Sequence, residues 1–497
     1  MLGCSLVIGC SSSTATPAPA THSAEVETTA APAGTSGATT DQAASGDHAA
    51  SGESVQPVDT TTSSTSDAIT AEPAPDRCAA NTDAGKVIIW HSLGGTSAPT
   101  AFGQLVNEFN ATHTLQIETI KVGGYSEVIS RLVNTPLQQW PDLIIAGDKA
   151  TTSLMDSGHF LRPAECAGSA AISDALLPAV RARYTVDGNL QALPYGVSTP
   201  ILMFDKVEYA NAGLDPNTPL RSEQDLIDAA RKIRKSGASP HGLVIDDSCA
   251  VWTAEQYTAR RGELLGQPDN GHVSGPVKVN LNTPANVAAL TMLRGAVADG
   301  SAQYIGANTS TYDDLLKIVD AKDGATMSVH TSASLGDLIG LFQANSFPGA
   351  ELGVLPLPGP NSGSLAGGNA LWIVDHADAQ HNGATWSVAR WLEDPARMAM
   401  FDAATGYVPP TTTVAAEPAT EQAWQQHPEL KVGYDQLAAM PGTVAAGGLL
   451  IGPSAEADSV MQSACTAIMQ GGIAPATALS SAELGITKLL AAFDSRS

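Results

Sequence analysis

The stretch from Lys86 to Gly147, KVIIWHSLGGTSAPTAFGQLVNEFNATHTLQIETIKVGGYSEVISRLVNTPLQQWPDLIIAG, decides the fold class. KVIIWHS reads as a strand of β-branched and aromatic residues. From Ala98 to Asn110, Phe102, Leu105 and Phe109 recur at helical spacing. LQIETIKV reads as a second strand and Tyr125 to Val133 as a helix. PDLIIAG is an apolar strand of the buried kind that parallel sheets use. Strands and helices alternating in this way predict an α/β fold with a mainly parallel sheet. Outward from this stretch, helices are expected over residues 223–236, 284–298, 385–393 and 455–469, and there is no internal repeat.

The whole chain has 497 residues, room for about three domains or two large lobes at ~150 residues each. Its 25 Lys and Arg face 50 Asp and Glu, a net charge of −25. Nucleic-acid binding needs a basic face that displaces counterions, so that class is excluded. The apolar share of 43% supports a sizeable core. No apolar run approaches the ~18 residues of a membrane span.

The N-terminal part has a different composition. MLGCSLVIGCSSSTATPAPA runs a short apolar stretch into Cys10 and then into a polar tract. Small residues before a cysteine resemble the lipobox of bacterial lipoproteins, which implies an acylated Cys10 as the mature N-terminus; the alternative is a chance cysteine in a tail. From Ser11 to Arg77 the chain is Thr, Ser, Ala and Pro with nine acids and one Arg. Such a segment buries too little surface to offset the entropy of ordering, and a tether is expected. Beyond Cys4 and Cys10 stand Cys78, Cys166, Cys249 and Cys465, an even number at wide spacing that reads as two disulfides in an exported protein or as four buried thiols. No Cys/His spacing indicates a zinc site.

Eight blocks occur in order between Lys86 and Pro410: IIWHSLGG, GGY, PDLIIAGD, DGNLQALPYGVSTPILMFDK, AGLDPNTP, GVLPLPGP, AGGNALWI and TGYVPP. On these the chain resembles an extracellular solute-binding protein of the maltose-binding superfamily, and within it the glycerol-3-phosphate and glycerophosphodiester-binding members of ABC importers. The resemblance implies a two-lobed periplasmic-binding-protein fold with hinge crossovers and an interlobe ligand cleft. It implies a leader over residues 1–9, a tether over 10–80 and a solute-binding domain over 81–497. LPYGVSTPILMF would be the first hinge crossing, GGNALWI the second, with a third after TGYVPP. Lobe one would then hold about 86–195 and 371–412, and lobe two about 204–367 and 419–497. Disulfides Cys78–Cys166 and Cys249–Cys465 are the expected pairing, since each bridge then stays within a lobe and does not oppose hinge closure. The family's Trp after AGLDP is replaced around Arg221 and Ser222, at a helix start.

The same resemblance supplies candidate ligand residues. Tyr125 in GGY offers a phenol beside glycines that let the backbone come close; it reads otherwise as a core tyrosine. Asp148 stands at the carboxyl end of an apolar strand, where ligand crevices lie, or caps the next helix. Ser198 in GVSTP matches a ligand-contacting hydroxyl, or is a turn residue before Pro200. Gly368 offers backbone N–H groups or only hinge freedom. Thr331 and Ser332 fall on hydroxyl-bearing positions at a helix start, and Tyr407 in TGYVPP on an aromatic one. Trp252 is either a platform for sugar C–H groups or choline, or core. Where glycerophosphate binders place a phosphate-gripping Arg after GLLIG, this chain has Asp458, with no Arg or Lys between Val432 and Thr487.

The expected partners are a small carbohydrate or glycerophosphodiester, the importer's permease subunits and, through the lipid, the outer face of the cell membrane. A monomer with no cofactor is expected. No HExxH, P-loop or dinucleotide fingerprint is present. Two rival readings share these features. A secreted carbohydrate-active enzyme would need two flanking carboxylates such as Asp148 with Asp246 or Asp247. A membrane-signalling ligand sensor would share every feature of the transport reading.

Overall fold

The computed structural model describes residues 76–78, 85–308, 312–320, 322–361 and 363–495. Cys4, Cys10, the leader and almost all of the tether lie outside the described residues. The principal elements in chain order begin with β1 (Gly85–His91), α1 (Ser97–Thr112), β2 (Leu115–Lys121), α2 (Tyr125–Val133) and β3 (Leu143–Gly147). There follow β4 (Phe160–Leu161), α3 (Pro178–Arg183), β5 (Leu193–Ser198), β6 (Pro200–Asp205), α4 (Glu223–Ser236), β7 (His241–Asp246) and α5 (Cys249–Arg260). Next come α6 (Pro284–Ala298), β8 (Ala302–Gly306), β9 (Ala325–Thr331), α7 (Leu335–Gln343), β10 (Leu352–Pro356) and β11 (Gly367–Val374). The chain ends with α8 (Ala379–Leu392), α9 (Pro395–Thr405), α10 (Pro418–Gln426), α11 (Ser454–Met469) and α12 (Pro475–Asp494).

Two sheets organise these elements. The first has the order β2-β1-β3-β11-β4, with β5 also paired to β11. The second has the order β8-β7-β9-β6-β10. Each sheet is mixed, which corrects the mainly parallel expectation. The pairs β1–β2, β1–β3, β7–β8 and β7–β9 are parallel, whereas β11 and β6 run antiparallel to all their neighbours. The cause is topological: β6 and β11 enter their sheets from hinge crossings, so their direction is set by the crossing and not by a βαβ connection.

Period-two alternation builds the first lobe's core on both faces of its sheet. Leu143, Ile145, Leu371 and Ile373 pack with Phe102, Leu105 and Phe109 of α1. Ile144, Ala146, Ala370 and Trp372 pack the other way, with Val128 and Leu132 of α2. The second lobe buries Leu226, Ile227 and Ile233 of α4 against Leu243 and Ile245, with α5, α11 and α12 completing its core. Local signals position the helices. Ser222 Oγ accepts from Asp225 N at 3.1 Å to cap α4, and Thr283 Oγ1 accepts from Asn286 N at 3.2 Å to cap α6.

The crossings meet at Thr199, between β5 and β6. Its hydroxyl lies 2.8 Å from Ser364 Oγ and 3.0 Å from the Leu365 carbonyl, and Gln436 Nε2 donates to it at 3.0 Å. Thr199 N donates to Ser332 Oγ at 3.2 Å. At the second crossing Gly368 has φ +104°, and a Cβ there would stand 2.2 Å from the Gly196 carbonyl oxygen. Only glycine lets the two hinge strands approach this closely. The disulfides are Cys78–Cys166, in the first lobe's core, and Cys249–Cys465, in the second's.

Candidate functional site

A cleft of about 1220 Å³ opens between the lobes. From the first lobe its lining includes Tyr125, Asp148, Lys149 and Arg183; from the hinge, Ser198, Gly367 and Gly368; from the second lobe, Trp252, Glu255, Thr331 and Asp458. Tyr125 begins α2 directly after Gly124, and its ring lies flat against Gly147, where a Cβ would stand 2.8 Å from Tyr125 Cγ. Tyr125 keeps 48% of its surface exposed, an aromatic face offered to the cleft.

Asp148 follows β3 and is buried. Its Oδ2 accepts from Arg183 Nε at 2.7 Å and lies 2.5 Å from Arg183 Nη2, a fork on a single oxygen. Asp148 Oδ1 and Ser198 Oγ stand equally, at 3.9 Å, from the point a Cβ on Gly367 would occupy. Two side-chain oxygens thus flank a residue with no side chain. The carboxylate of Asp148 serves Arg183, and the helix-cap role read from sequence is not the one it takes.

Arg183 is almost fully buried and also reaches the second lobe. Its Nη1 donates to the Gly447 carbonyl at 2.8 Å and to Glu255 Oε1 at 3.3 Å. Burial opposes its charge, but Asp148 and Glu255 raise its affinity for the proton further still. Lys149 Nζ donates to Asp458 Oδ1 at 2.7 Å and Oδ2 at 2.9 Å, with Glu255 Oε2 at 3.8 Å. Burial again works against the ammonium, and Asp458 with Glu255 outweighs it, so the Lys149 pKa is raised. Burial would raise the Glu255 carboxyl, yet Lys149 and Arg183 hold it below its ordinary value. Three carboxylates and two cations leave this network one negative charge in excess, and Glu127 and Glu456 add two more acids to the cleft lining.

This network corrects one expectation from the sequence. Asp458 was to face the ligand with no cation near it, whereas Lys149 of the opposite lobe pairs with it directly. Lys149, Arg183 and Glu255 escaped the sequence reading. Glu255 had a signal: with Trp252 and Gln256 it shares one face of α5 at helical spacing.

The remaining candidates separate. Thr331 lines the cleft while its Oγ1 caps Ala333 N at 3.3 Å. Trp252 lines it half-buried from α5. Ser332 and Tyr407 are not in the lining. Ser332 is buried and bonded to Thr199 at the hinge. Tyr407 is buried, accepts from Asn369 Nδ2 at 2.9 Å and stacks on Phe401 at 5.5 Å. Burial pushes the Tyr407 phenol up to about 12. It stands behind the cleft as a support and gives no face to it. Asp246 and Asp247 are also outside the lining, so neither named partner for Asp148 joins it in the cleft.

Comparison with known proteins agrees with this fold. The sn-glycerol-3-phosphate-binding periplasmic protein UgpB of Brucella abortus is 26% identical over 353 residues, covering 68% of this chain and 78% of the relative. UgpB of Salmonella typhimurium is 24% identical over 427 residues, covering 82% of this chain and 93% of the relative. Among solved structures, UgpB from Mycobacterium tuberculosis in complex with glycerophosphocholine superposes with a TM-score of 0.66 at 18% identity, over 83% of this chain and 99% of that one. The GacH receptor of Streptomyces glaucescens, solved unliganded and with acarbose, superposes with a TM-score of 0.65 at 18% identity, over 82% of this chain and 98% of that one. With the family model for bacterial extracellular solute-binding proteins matching residues 104–432, the chain belongs to that family and carries its two-lobed fold.

Proposed function

We propose that this chain is the lipid-anchored substrate-binding subunit of an ABC importer, capturing in its interlobe cleft a sugar, a polyol or a zwitterionic glycerophosphodiester such as glycerophosphocholine. The observation that carries the reading is the cleft wall itself: Asp148, Glu255 and Asp458 against Lys149 and Arg183, beside the aromatic faces of Tyr125 and Trp252. Hydroxyls find Asp148 Oδ1, Ser198 Oγ and Thr331 Oγ1, while a quaternary ammonium finds an aromatic face and a carboxylate excess. A phosphate dianion meets two cations already paired to acids, on a domain that carries most of a −25 charge. The importer role, the ligand class and the acyl anchor on Cys10 are supported by family membership, by the relatives' reported ligands and by the lipobox-like leader. Two acyl chains are enough for stable membrane attachment.

Native mass spectrometry of the purified protein tests the solute class: a co-purifying neutral polyol, saccharide or glycerophosphodiester is expected, released unchanged on unfolding. Recovery of a hydrolysed product would favour an enzyme instead. Replacing Cys10 with Ser should move the protein from the membrane fraction to the soluble one, and retention in the membrane fraction would end the lipobox reading.

A further inference from the structure

The first lobe carries a cluster that the cleft does not use. Asp142, His376 and His381 come from three segments: the residue before β3, the turn after β11, and the first turns of α8. Their donor atoms all lie within 4.8 Å of one another. His381 Nε2 is 2.5 Å and His376 Nε2 3.1 Å from the same oxygen, Asp142 Oδ1.

Each donor is held from behind. Asp142 Oδ2 accepts from Ile88 N at 2.6 Å, so Oδ1 alone faces the histidines. The backbone of Asp142 bonds β1 through Ile88 O at 2.9 Å and β11 through Val374 N at 3.0 Å. His376 N donates to Asn382 Oδ1 at 3.1 Å, and His381 N to Asp378 Oδ1 at 3.2 Å. The two imidazoles stack with centroids 4.0 Å apart and planes 12° from parallel, which turns both Nε2 atoms to one side. One proton on His381 satisfies its contact with Oδ1. His376 Nε2 is buried and makes no hydrogen bond of acceptable geometry, despite its proximity to the carboxylate. A divalent cation would satisfy all three lone pairs at once.

We infer that Asp142, His376 and His381 form a binding site for a borderline divalent transition ion, Zn²⁺ foremost. Two imidazoles and a carboxylate suit such an ion and not Mg²⁺ or Ca²⁺, which prefer oxygen shells. Water completes the coordination, reaching the site past His381, whose side chain is 41% exposed. Asp142 and Asp148 flank β3 at opposite ends, about 20 Å apart at ~3.3 Å per residue. The ion therefore does not touch the solute. It clamps the start of β3 to the exit of β11 and to α8, bracing the first lobe at the end of its sheet away from the cleft.

The test is calorimetric titration of the untagged full chain with ZnCl₂ alone, in wild type, His376→Ala and His381→Ala, with MgCl₂ as a second titrant. One Zn²⁺ per chain is expected, weakened at least ~10-fold in either variant by loss of a ligand, with no Mg²⁺ heat. Zn²⁺ should raise the wild-type melting temperature and leave that of His381→Ala unchanged. Metal-free melting of His381→Ala serves as the folding control, since that side chain is partly in solvent. Equal Zn²⁺ affinity in wild type and His381→Ala, equal binding of Mg²⁺, or no binding at all overturns the inference.

Discussion

Lys149 Nζ and Asp458 Oδ1 stand 2.7 Å apart although 309 residues separate them and opposite lobes carry them. A contact of this kind exists only while the lobes face each other, so it couples hinge position to the charge of the cleft. Arg183 adds a second bridge, joining Asp148 of its own lobe to Glu255 of the other. On the proposed function, the solute would enter between these pairs, and their balance would set which charges it is allowed.

Asp458→Arg tests that balance. The substitution leaves two cations where one ion pair stood, frees Lys149 and makes the cleft lining two charges more positive. Affinity for free glycerol 3-phosphate should rise at least ~10-fold, about 1.4 kcal/mol, while any ligand with a cationic end binds more weakly. Competition calorimetry reads both directions, and a variant that gains nothing for the dianion would show that Asp458 does not face the solute.

Asp337 forms a different interlobe contact. Its Oδ1 and Oδ2 accept from Ser97 N at 2.7 Å and Thr96 N at 2.9 Å, capping α1 of the first lobe from α7 of the second. Asp337→Ala should remove about 0.5–2 kcal/mol from the facing arrangement. Small-angle scattering without solute should then report a larger radius of gyration, restored by saturating solute. An unchanged radius would mean that other contacts govern the hinge.

The two disulfides should differ in their functional effect. Each closes a long loop, 88 and 216 residues, and removing either should cost about 3–5 kcal/mol. Cys249–Cys465 also ties α5, which carries Glu255, to α11, which carries Asp458. Cys249→Ala with Cys465→Ala should therefore lower both melting temperature and solute affinity. Cys78→Ala with Cys166→Ala should lower melting temperature alone, and calorimetry on both double variants separates the cases.

Glu393 and Asp402 make stability fall as pH rises. Both are buried; Glu393 Oε1 and both Asp402 oxygens make no hydrogen bond. Burial raises both carboxyls well above their ordinary values, and Asp402 adds repulsion at Glu393. The folded state thus holds protons that the unfolded chain releases near pH 4, and stability declines from there toward the folded pKa values. Asp402→Asn should stabilise by about 1–3 kcal/mol at pH 8 and by less at pH 5. A melting-temperature gain that does not depend on pH would contradict the assignment.

What the sequence revealed follows the range of the forces involved. The helices at Tyr125–Val133, Glu223–Ser236 and Pro284–Ala298 were legible because their caps and apolar stripes are local. The helix Ala379–Leu392 begins six residues before the expected Thr385, because Asp378, which caps it, was not read as its start. The ordered blocks carried the two-lobed fold and Tyr125, Asp148 and Ser198, which line one cleft with Thr331 and Asp458 from outside the blocks. Strand direction at the hinge is set by the crossing itself, so the mixed sheets were not legible. Tyr407 matched its block well yet sits behind the wall, since a motif fixes a residue's position along the chain and not which way its ring faces. Lys149 stood beside Asp148 in plain view, but its partner lies 309 residues away.

The most direct test is calorimetry on one preparation of the wild-type chain with glycerophosphocholine, free glycerol 3-phosphate and a panel of disaccharides and polyols. A cleft lined by five carboxylates and only two cations should bind glycerophosphocholine or a neutral polyol or saccharide more tightly than the phosphate dianion. Tightest binding by free glycerol 3-phosphate would contradict the account.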